Sequence, residues 1–189
     1  MDKFFILASA SPRRQDLLKE AGQNFKVIPS TVEEVVDNAL SPKDVVKSLA
    51  LQKAQDVFNK YGIPTLGADT VVVFNGKILG KPEDEIEAKK YLKALSGNVH
   101  EVITGVAVIT KDKVINESVV TNVYMNVLSD DFINDYVSSG RALDKAGAYG
   151  VQDGGFVSHL EGSLTNVIGL PMEKTKEILK ELSLWQLKG

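Results

Sequence analysis

The patterning of this chain predicts an α/β fold, and three observations carry the prediction. An apolar run at 4–9, a helical pattern over 12–21 and a second apolar run at 25–29 alternate strand, helix and strand. Asn75-Gly76 sits between two β-type runs, the strongest short-range hairpin signal. Residues 99–109 and 114–127, joined at Lys111-Asp112-Lys113, are long stretches rich in Val, Ile and Thr that extend a sheet. With 189 residues, 43% hydrophobic and 25% charged, the chain is sized for one globular domain with a good core and room for two lobes.

Each element has a local justification. Ser11 suits a helix cap, Pro12 the first helical position and Gly22 the stop after Leu17, Leu18 and Ala21. Ser41-Pro42-Lys43-Asp44 combines a capping serine, an N-terminal proline and an acid three residues after the cap, so a helix starts there and runs to about Tyr61, before Gly62. Its apolar stripe is Val46, Leu49, Ala50, Ala54 and Val57. The hairpin occupies 65–79, and a helix over 83–95 ends at Ser96-Gly97, with His100 read as closing that turn. Ser129-Asp130-Asp131 starts a short helix to about 138. A strand near 156–160, a turn at Gly162-Ser163 and an amphipathic helix to about Leu184 complete the chain, with no internal repeat, linker or low-complexity tract.

Composition excludes several classes. A net charge of −3 and a pI near 5.5 argue against a general nucleic-acid binder. The absence of cysteine rules out disulfides, thiolate metal sites and a cysteine nucleophile. His100 and His159 share no helical spacing, which argues against a histidine-rich zinc site. No charged leader precedes a long apolar run, and no apolar stretch approaches ~18 residues, so a cytoplasmic chain without a membrane partner is expected.

Some charges break the pattern. A helix start is partly positive, so Arg13 and Arg14 there cost about 0.3–1 kcal/mol each unless an anion faces them; otherwise they point into water or pair with surface acids. Lys53 falls inside an apolar stripe, where a lysine either snorkels to the edge or meets an anion. Asp69 interrupts an apolar strand and must be paired, metal-bound or catalytic. Glu33-Glu34 lies in an acidic stretch that reads by itself as a solvated loop. Gly80-Lys81 is no Walker loop, since Asn75 stands where the first glycine belongs and Pro82 follows the lysine. The segment 143–155 combines glycines with Asp144, Lys145, Tyr149 and Gln152, which supply an acid, a cation, a ring and an amide beside backbone open to a ligand.

Leu7-Ala-Ser-Ala-Ser-Pro-Arg-Arg14, Gly67-Ala-Asp-Thr70, Leu79-Gly-Lys-Pro82, Leu95-Ser-Gly-Asn-Val-His100, Asp144-Lys-Ala-Gly-Ala-Tyr-Gly-Val-Gln152 and Val167-Ile-Gly-Leu-Pro171 resemble, in order and spacing, the Maf family of nucleoside triphosphate pyrophosphatases. The resemblance covers essentially the whole chain and implies one such domain over 1–189, a Maf/Ham1-like mixed sheet flanked by helices, with two lobes around a central cleft. It implies hydrolysis of a nucleoside triphosphate between the α and β phosphates, with Mg²⁺ or Mn²⁺. Arg13, Arg14, Lys53 and Lys81, with Lys145 as a further candidate, would then meet the polyphosphate, and Ser9 would donate to a phosphate. Glu34 and Asp69 would hold the metal, with Asp69 also the proton acceptor for the attacking water, the two roles left open between them.

Within the family, the branch acting on dTTP and UTP carries Arg, Thr and Gln where this chain has Arg13, Thr70 and Gln152. A sister branch that prefers 7-methyl-GTP carries an aromatic, Gln and Glu there. An amide pairs with neutral uracil or thymine, whereas a cationic methylated purine favours a ring and a carboxylate. The chain departs from the commoner pattern at Leu164, where an aromatic often stands, and over 153–159, which is shortened; both bear on base selectivity. The implied role is house-cleaning of the pyrimidine nucleotide pool with a link to cell-division arrest. The alternatives are a pyrophosphatase of different base preference and a nucleotide-sensing regulator of septum formation. A homodimer is the default expectation.

Overall fold

The computed structural model describes residues 4–187. Its strands are β1 (Phe5–Leu7), β2 (Phe25–Val27), β3 (Thr65–Phe74), β4 (Lys77–Leu79), β5 (Val99–Ile109), β6 (Val114–Met125) and β7 (Val157–Glu161). They form one mixed sheet of seven strands in the order β2-β1-β3-β5-β6-β7, with β4 on β3 outside that path. β1 runs parallel to β2 and to β3, while the β3–β4 and β6–β7 pairs are antiparallel. The helices are α1 (Pro12–Glu20), α2 (Pro42–Tyr61), α3 (Glu85–Leu95), α4 (Asp130–Ser138), α5 (Leu164–Ile168) and α6 (Met172–Glu181).

The chain divides into two compact units. The first takes in the chain up to Asp69, Thr104–Val119 and the chain from Gly169 onward; the second is Thr70–Ile103 with Val120–Ile168. The first buries Phe5, Leu7, Leu18 and Leu66 with Val106, Val108, Leu170 and Ile178. In the second, Val72, Leu92, Val102, Val123, Ile133 and Phe156 are buried together, with the rings of Tyr136 and Tyr149 against Phe156.

Local chemistry sets the ends of the elements. Ser41 Oγ accepts from the Asp44 N–H, and Gly62 closes α2 in the left-handed conformation at φ 65°. Asn75 and Gly76 turn the hairpin with positive φ at both positions, as a two-residue turn matched to strand twist requires. Ser129 Oγ caps α4 by accepting from the Phe132 N–H. The apolar stripe of α2 is buried, and two glycines let it approach the sheet closely. A Cβ on Gly67 would stand 2.3 Å from the Ala50 carbonyl oxygen, and one on Gly105 would stand 2.2 Å from that of Val46.

Three expectations need correction. Ser11 occupies the cap position of α1 but its side chain makes no cap bond; its N–H instead donates to Ser9 Oγ at 3.2 Å. The last helix ends at Glu181, short of Leu184, because Ser183 turns left-handed at φ 59° and the N–H groups of Leu184 and Trp185 both reach back to the Leu179 carbonyl. That reversal packs Leu184 and Trp185 against the first unit's core, where Gln186 exchanges hydrogen bonds with Gln23 and Asn24. His100 lies inside β5, 2% exposed, with Nε2 2.7 Å from the Tyr149 hydroxyl, so it anchors a distant loop rather than closing the Ser96-Gly97 turn.

Candidate active site

The end of β1 and the first turn of α1 build one side of the site in the first unit. Ser9 is buried, and its Oγ accepts from Arg14 Nη1 at 3.1 Å as well as from the Ser11 N–H. Arg14 Nε donates to the Gly169 carbonyl at 2.7 Å, so the guanidinium is held from two directions. Burial lowers the Arg14 pKa from its ordinary value; the field of Asp69 opposes this, Arg13 adds to it, and Glu34 opposes it. An arginine at a helix start is thus offset by acids from other elements, the anion that local pattern demanded.

Helix α2 and strand β3 supply the other side. Lys53 Nζ lies 2.6 Å from Asp69 Oδ1 and 3.1 Å from Glu34 Oε1. Lys53 and Asp69 side chains are 16% and 14% exposed, whereas Glu34 is 43% exposed, so Glu34 closes the trio from the solvent side. Of the two readings open for Lys53, it meets anions. Glu34 does not lie on a free solvated loop, because the segment carrying it is tied to α2. Asp56 accepts from Ser30 Oγ at 2.8 Å and from the Thr31 N–H at 3.0 Å. The Lys60 ammonium and then the Ser30 hydroxyl hold the Asp56 carboxyl down at about 2, so it is ionised and ready to accept.

Ser9, Arg14, Glu34, Lys53 and Asp69 are therefore brought together within the first unit, with Arg13 close enough for its charge to act on Arg14. Thr70, Lys81, Lys145 and Gln152 belong to the second unit, Thr70 directly following Asp69 along β3. Lys81 and Gln152 are exposed. Lys145 Nζ donates to the Arg141 carbonyl at 2.5 Å and to Asp144 Oδ1 at 2.8 Å. Gly147 donates its N–H to the Gly80 carbonyl at 3.1 Å, linking the Lys145 loop to the residue before Lys81. A Cβ on Gly147 would stand 2.9 Å from Val72, which explains a glycine at φ 69° beneath this loop. Sequence reasoning missed the Tyr149 contact of His100, since residues 49 apart leave no local signal.

No group of three His, Cys, Asp or Glu able to hold a metal occurs among the described residues. Glu34 and Asp69 nevertheless both reach one cationic centre, the Lys53 ammonium. Two carboxylates suit Mg²⁺ or Mn²⁺, which fill the rest of their shell with water and substrate phosphate oxygens, so the residues fit such an ion. No helix among the described residues is long and apolar enough to cross a membrane.

The family model described as Maf, Maf-like protein, matches residues 4–182. A protein of Bacillus thuringiensis subsp. konkukian named dTTP/UTP pyrophosphatase is 48% identical over 182 residues, covering 95% of both chains. One of the same name from Alkaliphilus oremlandii is 49% identical over 185 residues, covering 94% of this chain and 95% of that one. Among solved structures, a HAM1 protein from Coxiella burnetii aligns over 94% of this chain and 98% of its own with a TM-score of 0.55 at 18% identity, a likeness of fold.

Proposed function

The chain belongs to the Maf-like protein family, and from that premise we propose that it hydrolyses dTTP and UTP between the α and β phosphates, releasing a nucleoside monophosphate and pyrophosphate. The relatives named dTTP/UTP pyrophosphatase support the substrate, and the match over 4–182 supports reading the chain as one such domain. The observation that carries the chemistry is the Lys53 ammonium between Glu34 and Asp69, in the same unit as the Ser9-anchored Arg14. Such a set is matched to a polyanion and a hard cation together.

Arg13, Arg14, Lys53, Lys81 and Lys145 bind the phosphate chain and offset the charge that grows on the leaving pyrophosphate. Ser9 fixes Arg14 and donates its own hydroxyl proton to a phosphate oxygen. Lys53 already engages Asp69 through Oδ1, so Oδ2 is the oxygen offered to the attacking water, whose proton it accepts. A divalent cation, held by Glu34 and Asp69, would supply Lewis-acid charge to the phosphate chain. Gln152 pairs its amide with the uracil or thymine edge, while Arg13 and Thr70 complete the pyrimidine pattern.

Product analysis on a panel of nucleoside triphosphates, with and without Mn²⁺, tests this reading. Metal-dependent release of pyrophosphate with dTTP and UTP turned over fastest is expected. Orthophosphate as the product, preference for 7-methyl-GTP, or binding without turnover would each refute it.

A further inference from the structure

The segment between β2 and α2, residues 28–41, has no helix or strand, yet it carries Glu34 to the Lys53–Asp69 pair. Apolar burial does not hold its middle, since Val35 is 68% exposed and Val36 48% exposed. Nor does the segment lie flush on the helix: a hollow of about 490 Å³ is lined by Val32 and by Leu51, Gln52, Gln55, Asp56 and Asn59 of α2. Polar side chains of α2 must therefore set its position.

Gln52 makes the pair of bonds closest to Glu34. Its Oε1 accepts from the Val35 N–H at 2.9 Å, and its Nε2 donates to the Val35 carbonyl at 2.9 Å. The carboxamide behaves as one residue of a neighbouring strand would, satisfying donor and acceptor of the same peptide residue. That pairing admits only one orientation of the amide, and the second Nε2 proton goes to Ser48 Oγ at 3.0 Å, one turn earlier on the helix. Consecutive residues of α2 thus grip consecutive residues of the segment, Gln52 holding Val35 by its backbone and Lys53 holding Glu34 by its carboxylate. Asp56, one turn on, fixes Ser30 and Thr31.

We infer that Gln52 is a positioning residue, whose clamp on the Val35 backbone holds the Glu34 carboxylate where, with Asp69, it binds the divalent cation. The inference rests on the proposed metal role of Glu34. Glu34 is the exposed member of its trio and sits on backbone without ladder bonds, so without the clamp its carboxylate would sample positions away from Asp69. Metal affinity is where the loss registers, because partners behind a ligand typically contribute 10–100-fold to it.

Mn²⁺ binding to the full-length protein, titrated by EPR in the presence of α,β-methylene-dUTP, measures this without turnover. Gln52→Met keeps side-chain length and helix propensity but neither bond, and Gln52→Asn keeps the amide one methylene short. Both should raise the Mn²⁺ dissociation constant about tenfold or more, and amide exchange at Val35 should accelerate. Glu34→Gln should raise the constant at least as far, and Gln52→Met added to Glu34→Gln should raise it no further, because Gln52 acts only through Glu34. A constant within twofold of the parent in Gln52→Met, beside a raised one in Glu34→Gln, overturns the positioning role. So do additive effects in the double variant. An unchanged constant in Glu34→Gln instead overturns the metal reading of Glu34, and the inference falls with it.

Discussion

Replacing Gly67 with alanine should damage stability and turnover together, because Gly67 sets how closely α2 lies on β3. The added Cβ would meet the Ala50 carbonyl oxygen at 2.3 Å, the Ala54 nitrogen at 2.8 Å and the Ala54 Cβ at 3.0 Å. The first two are backbone atoms of a helix, which cannot turn aside as a side chain does. Opening 2.3 Å to the 3.4 Å where ordinary contact begins requires about 1.1 Å of displacement between strand and helix. Overpacking of this kind costs ~1–3 kcal/mol, occasionally more, and backbone opponents put the expected loss near ~3 kcal/mol. For a chain of this length that is roughly 6–12 °C in Tm. Lys53 lies between Ala50 and Ala54 on the helix, and Asp69 lies two residues beyond Gly67 on the strand, so the same displacement strains the 2.6 Å contact between them. A misplacement of ~1 Å can cost ~10²-fold in rate. Gly105→Ala, whose Cβ would stand 2.2 Å from the Val46 carbonyl oxygen, is the comparison: a similar Tm loss with a smaller loss of turnover, because it pushes on the helix almost two turns before Lys53. Differential scanning calorimetry with kcat and KM for dTTP decides the matter. A Gly67→Ala protein melting within 2 °C of the parent at undiminished kcat/KM would refute the argument from close packing.

Asp69→Asn should lower kcat by ~10²–10⁴ with little change in Tm, as expected for loss of a proton acceptor; stopped assays with dTTP check it, and a loss under tenfold counts against the role. Gln152→Glu should lower kcat/KM for UTP roughly 10–100-fold by replacing an amide donor with an acceptor; an unchanged ratio of UTP to 7-methyl-GTP rates would contradict the base-pairing role. Burial brings the His100 imidazole from 6.5 down to about 4, so below pH 6.5 the unfolded chain takes up a proton that the folded one refuses. The His100 contribution to stability should therefore fall as pH drops from 6.5 to about 4, by about 3 kcal/mol in all, and change no further below that. Urea denaturation across this range should show the loss in the parent and a shallower pH dependence in His100→Leu.

Much of the fold was legible because its boundaries are decided by neighbours in sequence. Ser41-Pro42, Gly62, Asn75-Gly76 and Ser129 act within four residues of themselves, and each does what its chemistry dictates. The charged cluster of the candidate site was legible through conflict with those same rules: two arginines at a helix start, a lysine in an apolar stripe and an aspartate in a strand include three of its members, Arg14, Lys53 and Asp69. What could not be read depends on distant contacts. Ser11 offered a cap, but Ser9 took its N–H while also holding Arg14. The Gln52–Val35 clamp spans 17 residues and that between His100 and Tyr149 spans 49, so neither leaves a periodicity to detect. The end of α6 was missed for a related reason, since the chain reverses to bury Leu184 and Trp185 while their amides still reach a helical carbonyl.

That reversal also distributes the chromophores unequally. Trp185, the sole tryptophan, rests against the first unit's core with the Lys176 ammonium 5.5 Å over its ring, while four of the five tyrosines, Tyr91, Tyr124, Tyr136 and Tyr149, belong to the second unit and Tyr61 alone, exposed at the end of α2, to the first. Indole emission therefore reports on the first unit, and tyrosine near-ultraviolet dichroism mainly on the second, where four of the five rings lie, without any label. Coincident melting in both signals would mean that the chain loses its structure in a single cooperative event, and separated curves would resolve an intermediate with one unit intact.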